Sequence, residues 1–150
     1  MLLFKISGLL VVFLVSASLG LLKSESLKLR CDRLEKIVKS LNRLCELVRI
    51  GGYEIDELIS VCFDSNIINS EKGNFFICEE YLLKEDIDIL REFFNGFGVT
   101  DKEGEVKRIK LFCSLLEGKH RDAQKAFLEL GRLYRSVGLM GGLILCIFLM

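Results

Sequence analysis

Uncharged, largely apolar runs lie at both ends of the chain. Residues 6–22 carry no charged side chain and are bounded by Lys5 and Lys23. In a helix that rises about 1.5 Å per residue, this run would be about 25 Å long, and the uncharged residues 137–150 would add about 21 Å at the other end. A bilayer core is about 30 Å thick, so each run needs neighbouring residues to cross it. The pattern predicts an N-terminal transmembrane anchor over residues 1–22 and a C-terminal membrane segment over residues 137–150.

The first run also has a second interpretation, as a cleavable signal peptide. Val15-Ser16-Ala17 has the small-x-small spacing of a cleavage site. The run stays apolar through Leu21 and Leu22, and basic residues follow, which favours an uncleaved anchor. Cleavage would instead give a secreted helical protein with disulfide bonds, and this alternative stays open.

Between the ends, apolar residues recur at helical spacings of three and four. The first stripe stops at Gly51-Gly52, and its members are Leu34, Ile37, Val38, Leu41, Leu44, Cys45 and Val48. A short second helix is predicted over residues 54–63, a polar, turn-rich loop over residues 64–74, and a third helix over residues 76–97. The stripe of this third helix is Leu83, Ile87, Leu90, Phe94 and Phe97.

A long final helix is predicted to begin at Thr100-Asp101-Lys102-Glu103, which has the form of a capping box. The predicted helix extends to residue 136, where its apolar stripe merges into the apolar tail, and Gly118 is a point where the helix could kink or break. The chain contains no proline, the residue that most often breaks helices. We therefore expect an all-α fold: a membrane-anchored helical bundle with a long C-terminal helix and apolar segments at both ends.

Basic residues flank the inner side of both apolar runs, a pattern typical of the cytoplasmic side of a membrane. They are Lys23, Lys28, Arg30, Arg33, Lys36 and Lys39 after the first run, and Lys119, Arg121, Lys125, Arg132 and Arg135 before the second. Residues 23–136 are therefore predicted to form a cytosolic helical domain.

Charge is balanced over the whole chain but not along it. The 21 basic and 21 acidic residues cancel, which argues against a nucleic-acid partner. Residues 46–105, however, hold 15 acidic and 5 basic residues, whereas the segments beside the apolar runs are basic. The acidic region is a candidate docking surface for a basic partner, through Glu79, Glu80, Glu85, Asp86 and Asp88.

Catalytic chemistry has little support in the sequence. The one histidine, His120, lies seven residues after Cys113 on the predicted helix, about 10.5 Å along its axis, which is too far for a cysteine–histidine nucleophile pair. It stands between Lys119 and Arg121, so we expect it to face solvent. The six cysteines form no C-x-x-C pair and fit small hydrophobic positions. No nucleotide-binding loop or H-E-x-x-H motif occurs. The sequence predicts no catalytic residue, metal or cofactor, although an enzyme using one cysteine is a further class left open.

Small residues are spaced four apart inside both apolar runs. The pairs are Ser16-x-x-x-Gly20 and Gly138-x-x-x-Gly142. Small side chains let helix backbones approach closely within a membrane. We expect these four residues to mediate helix packing, between the two segments or with partner helices.

The second half of the chain resembles the stage III sporulation protein AB family. The residues that carry the resemblance, over about residues 83–150, are Leu90-Arg91-x-Phe93, Phe97-Gly98, Asp101, Ile109, Leu111, Leu115, Leu116 and the ending Leu133-Tyr134-x-x-Val137-Gly138-Leu139-x-Gly141-Gly142-Leu143. A weaker match covers the anchor, residues 41–48, Gly51, Ile55 and Glu57. Glu54 stands where the family usually has a proline, and the chain is shorter than the family around residues 63–78.

The resemblance implies a non-enzymatic membrane component of the sporulation complex between mother cell and forespore. The family is similar to the helical domain of type II secretion platform proteins. The implied partners are other sporulation-complex membrane proteins and a cytoplasmic secretion-type ATPase, with self-association as a further option. The implied location is the mother-cell membrane around the forespore, with the main domain in the cytoplasm.

Overall fold

The computed structural model describes residues 2–52, 54–71 and 74–149, without the side chains of residues 2–7, 9, 10, 12, 69–71, 74, 145, 146, 148 and 149. The chain is predominantly helical. In chain order the elements are α1 (Leu2–Ile50), α2 (Ile55–Cys62), β1 (Ile68–Glu71), β2 (Asn74–Ile77), α3 (Lys84–Asn95) and α4 (Lys102–Leu149).

Two compact units divide these elements. The terminal unit contains Met1–Leu29 and Ala123–Met150, and thus the N-terminal part of α1 with the C-terminal part of α4. The central unit is Arg30–Asp122 and contains the remaining elements.

The end of α1 agrees with the sequence pattern. Gly51 and Gly52 follow the helix with φ of 79° and 94°, the left-handed region that glycine enters most easily. Within the central unit, the stripe members Leu34, Ile37, Leu41 and Leu44 are fully buried, as predicted. The apolar face of α1 therefore forms one wall of the central core.

A β-hairpin occupies the region predicted as a loop, which corrects that prediction, while the four helices and the long C-terminal α4 confirm the predicted helical fold. Strand β1 pairs antiparallel with β2, with Ile68 opposite Ile77 and Asn69 opposite Phe76. The hairpin adds a small sheet whose strands bring Ile68 and Phe75 to the core side. β-Branched and aromatic residues suit such a half-buried pleated surface.

The third helix is shorter than predicted, beginning at Lys84 and not near residue 76. Residues 74–77 are in β2, and Tyr81 has a φ of 64°, which a right-handed helix cannot contain. The helix starts only after this turn, once Leu83 has an extended backbone.

Phenylalanines from four segments meet in the centre of the central unit. Phe93 of α3 lies 4.9 Å from Phe94 and 5.5 Å from Phe112 of α4, measured between ring centroids. Phe94 in turn contacts Phe63 after α2 and Phe75 of β2 at 5.8 and 5.0 Å. The edge-to-face and tilted geometries are those that aromatic pairs prefer. This cluster joins the hairpin to the helices.

The start of α4 lies one residue later than the predicted capping box. The side chain of Asp101, and not that of Thr100, accepts the amide of Gly104 at 3.3 Å. Buried Glu105, and not Glu103, reaches back, since its Oε1 accepts the Thr100 hydroxyl at 2.7 Å and the Gly98 amide at 3.1 Å. A carboxylate therefore organises the α3–α4 turn. The helix continues without a break through Gly118.

Among the described residues, no helix combines the length with the apolar character that membrane crossing requires. The predicted anchor over residues 1–22 and the predicted C-terminal segment over residues 137–150 fall partly on residues that lie outside this description.

Candidate functional site

The four small residues predicted to mediate helix packing lie together in the terminal unit. The Ser16 hydroxyl donates to the carbonyl of Gly138 at 3.1 Å. A Cβ added at Gly138 would lie 3.2 Å from the Cα of Gly20, and one added at Gly20 would lie 2.5 Å from the carbonyl oxygen of Tyr134. Such distances leave no room for a side chain. The two backbones are therefore in direct contact at these glycines.

The contact continues one turn further along α4. A Cβ at Gly142 would lie 2.9 Å from the ring of Phe13 and 3.4 Å from the Cβ of Ser16. Gly20, Gly138 and Gly142 are all buried. Close backbone approach through glycine is the usual solution where lipid supplies no hydrophobic drive for helix association.

Large apolar side chains of the terminal unit point away from this contact. They are more than half exposed at Val11, Leu14, Val15, Leu19, Leu21, Leu22, Leu133, Val137, Leu139, Met140, Leu143, Ile144 and Ile147. The small residues face inward and the large ones outward, the reverse of the arrangement in a water-soluble core.

The five candidate docking acids of the central unit have different environments. Glu79, Glu80, Glu85 and Asp88 are exposed. Glu79 pairs with Arg91, and Glu85 pairs with Lys119. The Glu85 carboxylate, as a hydrogen-bond acceptor, raises the pKa of Lys119. Exposed pairs of this kind are weak and can be exchanged for a partner's cations at low cost.

Asp86 is the exception, because its side chain is fully buried and cannot reach a partner. Its two carboxylate oxygens accept Arg30 Nε at 2.9 Å and Arg30 Nη2 at 3.1 Å, a bidentate pair. Its Oδ2 also accepts the amide of Leu83 at 3.0 Å. Asp86 therefore caps the start of α3 and ties that helix to α1, so its candidate role as a docking residue is corrected to a structural one.

His120 is not solvent-facing as predicted but half-buried against α1. Its Nδ1 lies 3.2 Å from the carbonyl oxygen of Cys31 and 3.8 Å from the Cys31 sulfur. The ring donates to that carbonyl when Nδ1 carries the proton. The histidine thus meets a cysteine from another helix, and not Cys113 of its own.

The thiols of the central unit have the properties of buried hydrophobic groups. Burial raises the pKa of the Cys31 thiol, and the pKa of Cys62 is raised for the same reason. Burial, with the Glu117 carboxylate nearby, raises the pKa of Cys113 to about 11. A nucleophilic cysteine needs the opposite shift. The five cysteines whose side chains are described are free, and Cys146 lies outside them.

A metal site would need several ligating side chains close together in the part of the chain that the structure describes. There, no three histidine, cysteine, aspartate or glutamate residues come close enough to hold an ion.

Three long-range contacts that shape these regions are not predicted by the sequence pattern. They are Arg30 with Asp86, His120 with Cys31, and Arg135, whose Nε donates to the Ser24 hydroxyl at 3.1 Å. The partners are separated by 56 to 111 residues, so no local spacing indicates them. The sequence does contain one local signal. Asp86 follows Leu83 by three residues, the spacing at which an acidic side chain accepts the backbone amide of the residue before a helix.

Comparison with known proteins places the similarity in the second half of the chain. A sequence model of the family described as stage III sporulation protein AB matches residues 68–150, from the start of β1 to the end of the chain. The chain is also similar to the stage III sporulation protein AB of Bacillus subtilis (strain 168), with 32% identity over 69 residues. That match covers 46% of this chain and only 40% of the relative's length. No solved structure matches the chain.

Proposed function

Since the chain belongs to the stage III sporulation protein AB family, we propose that it is a non-enzymatic membrane component of a secretion-like sporulation complex. The family and the similarity to the Bacillus subtilis protein support a sporulation-related role, and the family is not a known class of enzymes. The complex connects mother cell and forespore, and the chain lies in the mother-cell membrane around the forespore. Its partners are other membrane proteins of the complex and a cytoplasmic ATPase.

The observation that carries this proposal is the inverted arrangement of side chains in the terminal unit. Two helices meet through glycine and serine, while leucine, valine and isoleucine side chains are exposed. In water this exposed apolar surface would be costly, at about 25 cal/mol per Å². In a bilayer the same surface is solvated by lipid, so the terminal unit is proposed to sit in the membrane.

The central unit is proposed to lie in the cytoplasm and to dock the ATPase through an acidic surface. This acidic surface consists of Glu79, Glu80, Glu85 and Asp88, all exposed. Electrostatic complementarity of this kind mainly speeds association and selects the partner. The chain has no nucleotide-binding loop in its sequence, so an ATPase partner would supply the energy.

Co-purification of the full chain tests this function. The tagged protein is extracted in mild detergent from sporulating cells, and the proteins that accompany it are identified by mass spectrometry. The wild-type chain should bring down an ATPase and other membrane proteins. A variant with Glu79, Glu80, Glu85 and Asp88 changed to lysine should lose the ATPase but keep the membrane partners.

The matched control reverses four exposed acids of the central unit that lie outside the acidic surface, namely Asp32, Glu46, Glu54 and Glu57. Both variants have the same net charge, so a nonspecific charge effect would act on both. Equal ATPase recovery with both variants would contradict docking through the acidic surface. Absence of any sporulation protein with the wild-type chain would contradict the proposed function itself.

A further inference from the structure

A cleft of about 440 Å³ opens in the terminal unit where its apolar residues give way to charged ones. Its lining residues are Leu21, Ser24, Glu25, Lys28, Phe127 and Arg135. Leu21 belongs to the uncharged run of residues 6–22, and Arg135 stands two residues before the uncharged run that begins at Val137. In a membrane-embedded terminal unit, the cleft therefore lies at headgroup depth.

One wall of the cleft is built around a buried polar side chain. Ser24 is only 4% exposed, and its hydroxyl accepts Arg135 Nε at 3.1 Å. The same Nε also lies 3.4 Å from the carbonyl oxygen of Gly131. These two acceptors fix the plane of the guanidinium while using one of its nitrogens. The arginine is thereby positioned before any ligand arrives.

The remaining charged atoms of the cleft have no protein partner. Within the residues that the structure describes, neither terminal nitrogen of Arg135 makes a hydrogen bond, and neither Lys28 nor Glu25 forms an ion pair. The cleft thus presents two cations and one carboxylate, together with the apolar surfaces of Leu21 and Phe127. Two cations suit a phosphate, and a carboxylate beside them suits an ammonium group.

We propose that this cleft binds the headgroup of an ethanolamine phospholipid. The phosphate lies between Arg135 and Lys28, and the ammonium group lies at Glu25. Arginine holds phosphate oxygens through paired N–H donors, and lysine adds a point charge. The acyl chains run along the exposed apolar side chains of α1, from Leu21 towards Leu14. This inference rests on the proposed membrane location of the terminal unit.

A free phosphate ion shares the anionic chemistry but leaves two features of the cleft unused. It has no cation for Glu25 and no apolar part for Leu21 and Phe127 to contact. An anionic phospholipid without an amine would also place its headgroup against the Glu25 carboxylate, and like charges repel. An ethanolamine headgroup gives every lining group a partner, because its ammonium carries N–H donors for the Glu25 carboxylate, which the quaternary ammonium of a choline headgroup lacks.

Lipid retention after reconstitution tests the inference. The full-length protein is reconstituted into phosphatidylcholine vesicles containing a minor fraction of either phosphatidylethanolamine or phosphatidylglycerol. Flotation first reports membrane insertion, and native mass spectrometry after detergent extraction then counts the lipids that remain bound. The wild-type chain should retain one phosphatidylethanolamine, whereas Arg135→Gln and Lys28→Gln should retain about tenfold less.

Two further variants sharpen the test. Glu25→Gln should retain phosphatidylglycerol better than the wild type and phosphatidylethanolamine less well, because the carboxylate that repels the anionic headgroup and holds the ammonium group is gone. Lys125→Gln removes an exposed lysine of α4 that does not line the cleft, and it should behave like the wild type.

The outcomes separate this inference from the proposed function. A chain that floats with the vesicles but retains phosphatidylethanolamine no better than phosphatidylglycerol or the phosphatidylcholine of the vesicle overturns the cleft assignment alone. Displacement of the bound lipid by millimolar inorganic phosphate would reassign the cleft to a free anion, and this also overturns it. A chain that does not float overturns the proposed membrane location and the cleft assignment together.

Discussion

The terminal and central units use the same helices with opposite side-chain arrangements. In the terminal unit the buried positions among the described side chains are small residues, namely Gly20, Ser24, Ala123, Gly131, Gly138 and Gly142, and large apolar residues are exposed. In the central unit the buried positions are mainly leucine, isoleucine, phenylalanine and cysteine, and most charged residues lie on the surface. Helical periodicity alone does not distinguish the two arrangements. The identity of the buried residue does, because hydrophobic burial drives packing in water and close backbone contact drives it in lipid.

The two units should therefore respond differently to substitution. Removing volume harms a packed apolar core, because the lost contacts leave a cavity. Adding volume harms a glycine contact, because the backbones must separate.

Phe93→Ala should have the largest effect, since the Phe93 side chain is fully buried and contacts three other phenylalanine rings. We expect the free energy of unfolding of the central unit to fall by about 3–5 kcal/mol. Urea denaturation of the full chain in detergent, followed by circular dichroism, measures it. Phe76→Ala is the control, because Phe76 is 59% exposed and its loss should change little. Equal effects of the two substitutions would contradict the core assignment.

Asp86→Asn should destabilise the central unit by about 2–3 kcal/mol. The amide keeps the shape of the carboxylate but leaves the partly buried Arg30 guanidinium without its countercharge. The same denaturation experiment gives the value. The neighbouring exposed Asp88 provides the comparison, and Asp88→Asn should stay within about 0.5 kcal/mol of the wild type. If Asp86→Asn were as mild, the bidentate pair would not hold α3 to α1.

Gly138→Ile should disrupt the helix contact of the terminal unit at a cost of about 1–3 kcal/mol. The new side chain would collide with Gly20 and with the carbonyl of Ser16. Disulfide cross-linking between cysteines placed at residues 16 and 141 reports the contact in membranes, since a Cβ at Gly141 lies 3.9 Å from the Ser16 Oγ. Gly8→Ile adds the same side chain where no atom lies within 4 Å of the new Cβ, so cross-linking should persist. Unchanged cross-linking in Gly138→Ile would show that the backbones do not need to touch.

Gly118→Ala should have the smallest effect on stability, and it should raise the free energy of unfolding where the other substitutions lower it. A Cβ at Gly118 meets no atom within 4 Å, and alanine favours the helix by about 0.5–1 kcal/mol over glycine. The melting temperature of the central unit, measured on the full chain, should therefore rise. Gly104→Ala makes the comparison, since its Cβ would lie 2.7 Å from the Asp101 oxygen that caps α4. A gain of the same size in both variants would mean that the cap contributes nothing.

Much of the helical plan could be predicted from sequence, because long periodic stripes report which face is buried. The stripes through Leu34 to Leu44 and through Ile109 to Leu116 are buried as expected. The hairpin could not be predicted from the polarity of residues 64–74, since two four-residue strands are too short to show a clear alternation. The start of α3 depends on the left-handed turn at Tyr81, which no helical pattern reveals.

The candidate sites could be predicted only in part, for a related reason. The spacing of Ser16 with Gly20 and of Gly138 with Gly142 is a local signal, and the structure brings these four residues together. Burial of Asp86 depends on Arg30, which is 56 residues away in sequence. The cleft likewise needs Ser24 and Arg135, which are 111 residues apart, so only the folded chain shows it.

Photolabelling from within the bilayer tests the contrast between the two units most directly. The wild-type chain is reconstituted into vesicles that contain a carbene-generating lipid probe, and labelled peptides are mapped by mass spectrometry. Label should concentrate on the exposed apolar positions of the terminal unit, such as Leu14, Leu19, Val137 and Ile144, and should spare the central unit. Labelling of the central unit, or a terminal unit without label, would contradict the account.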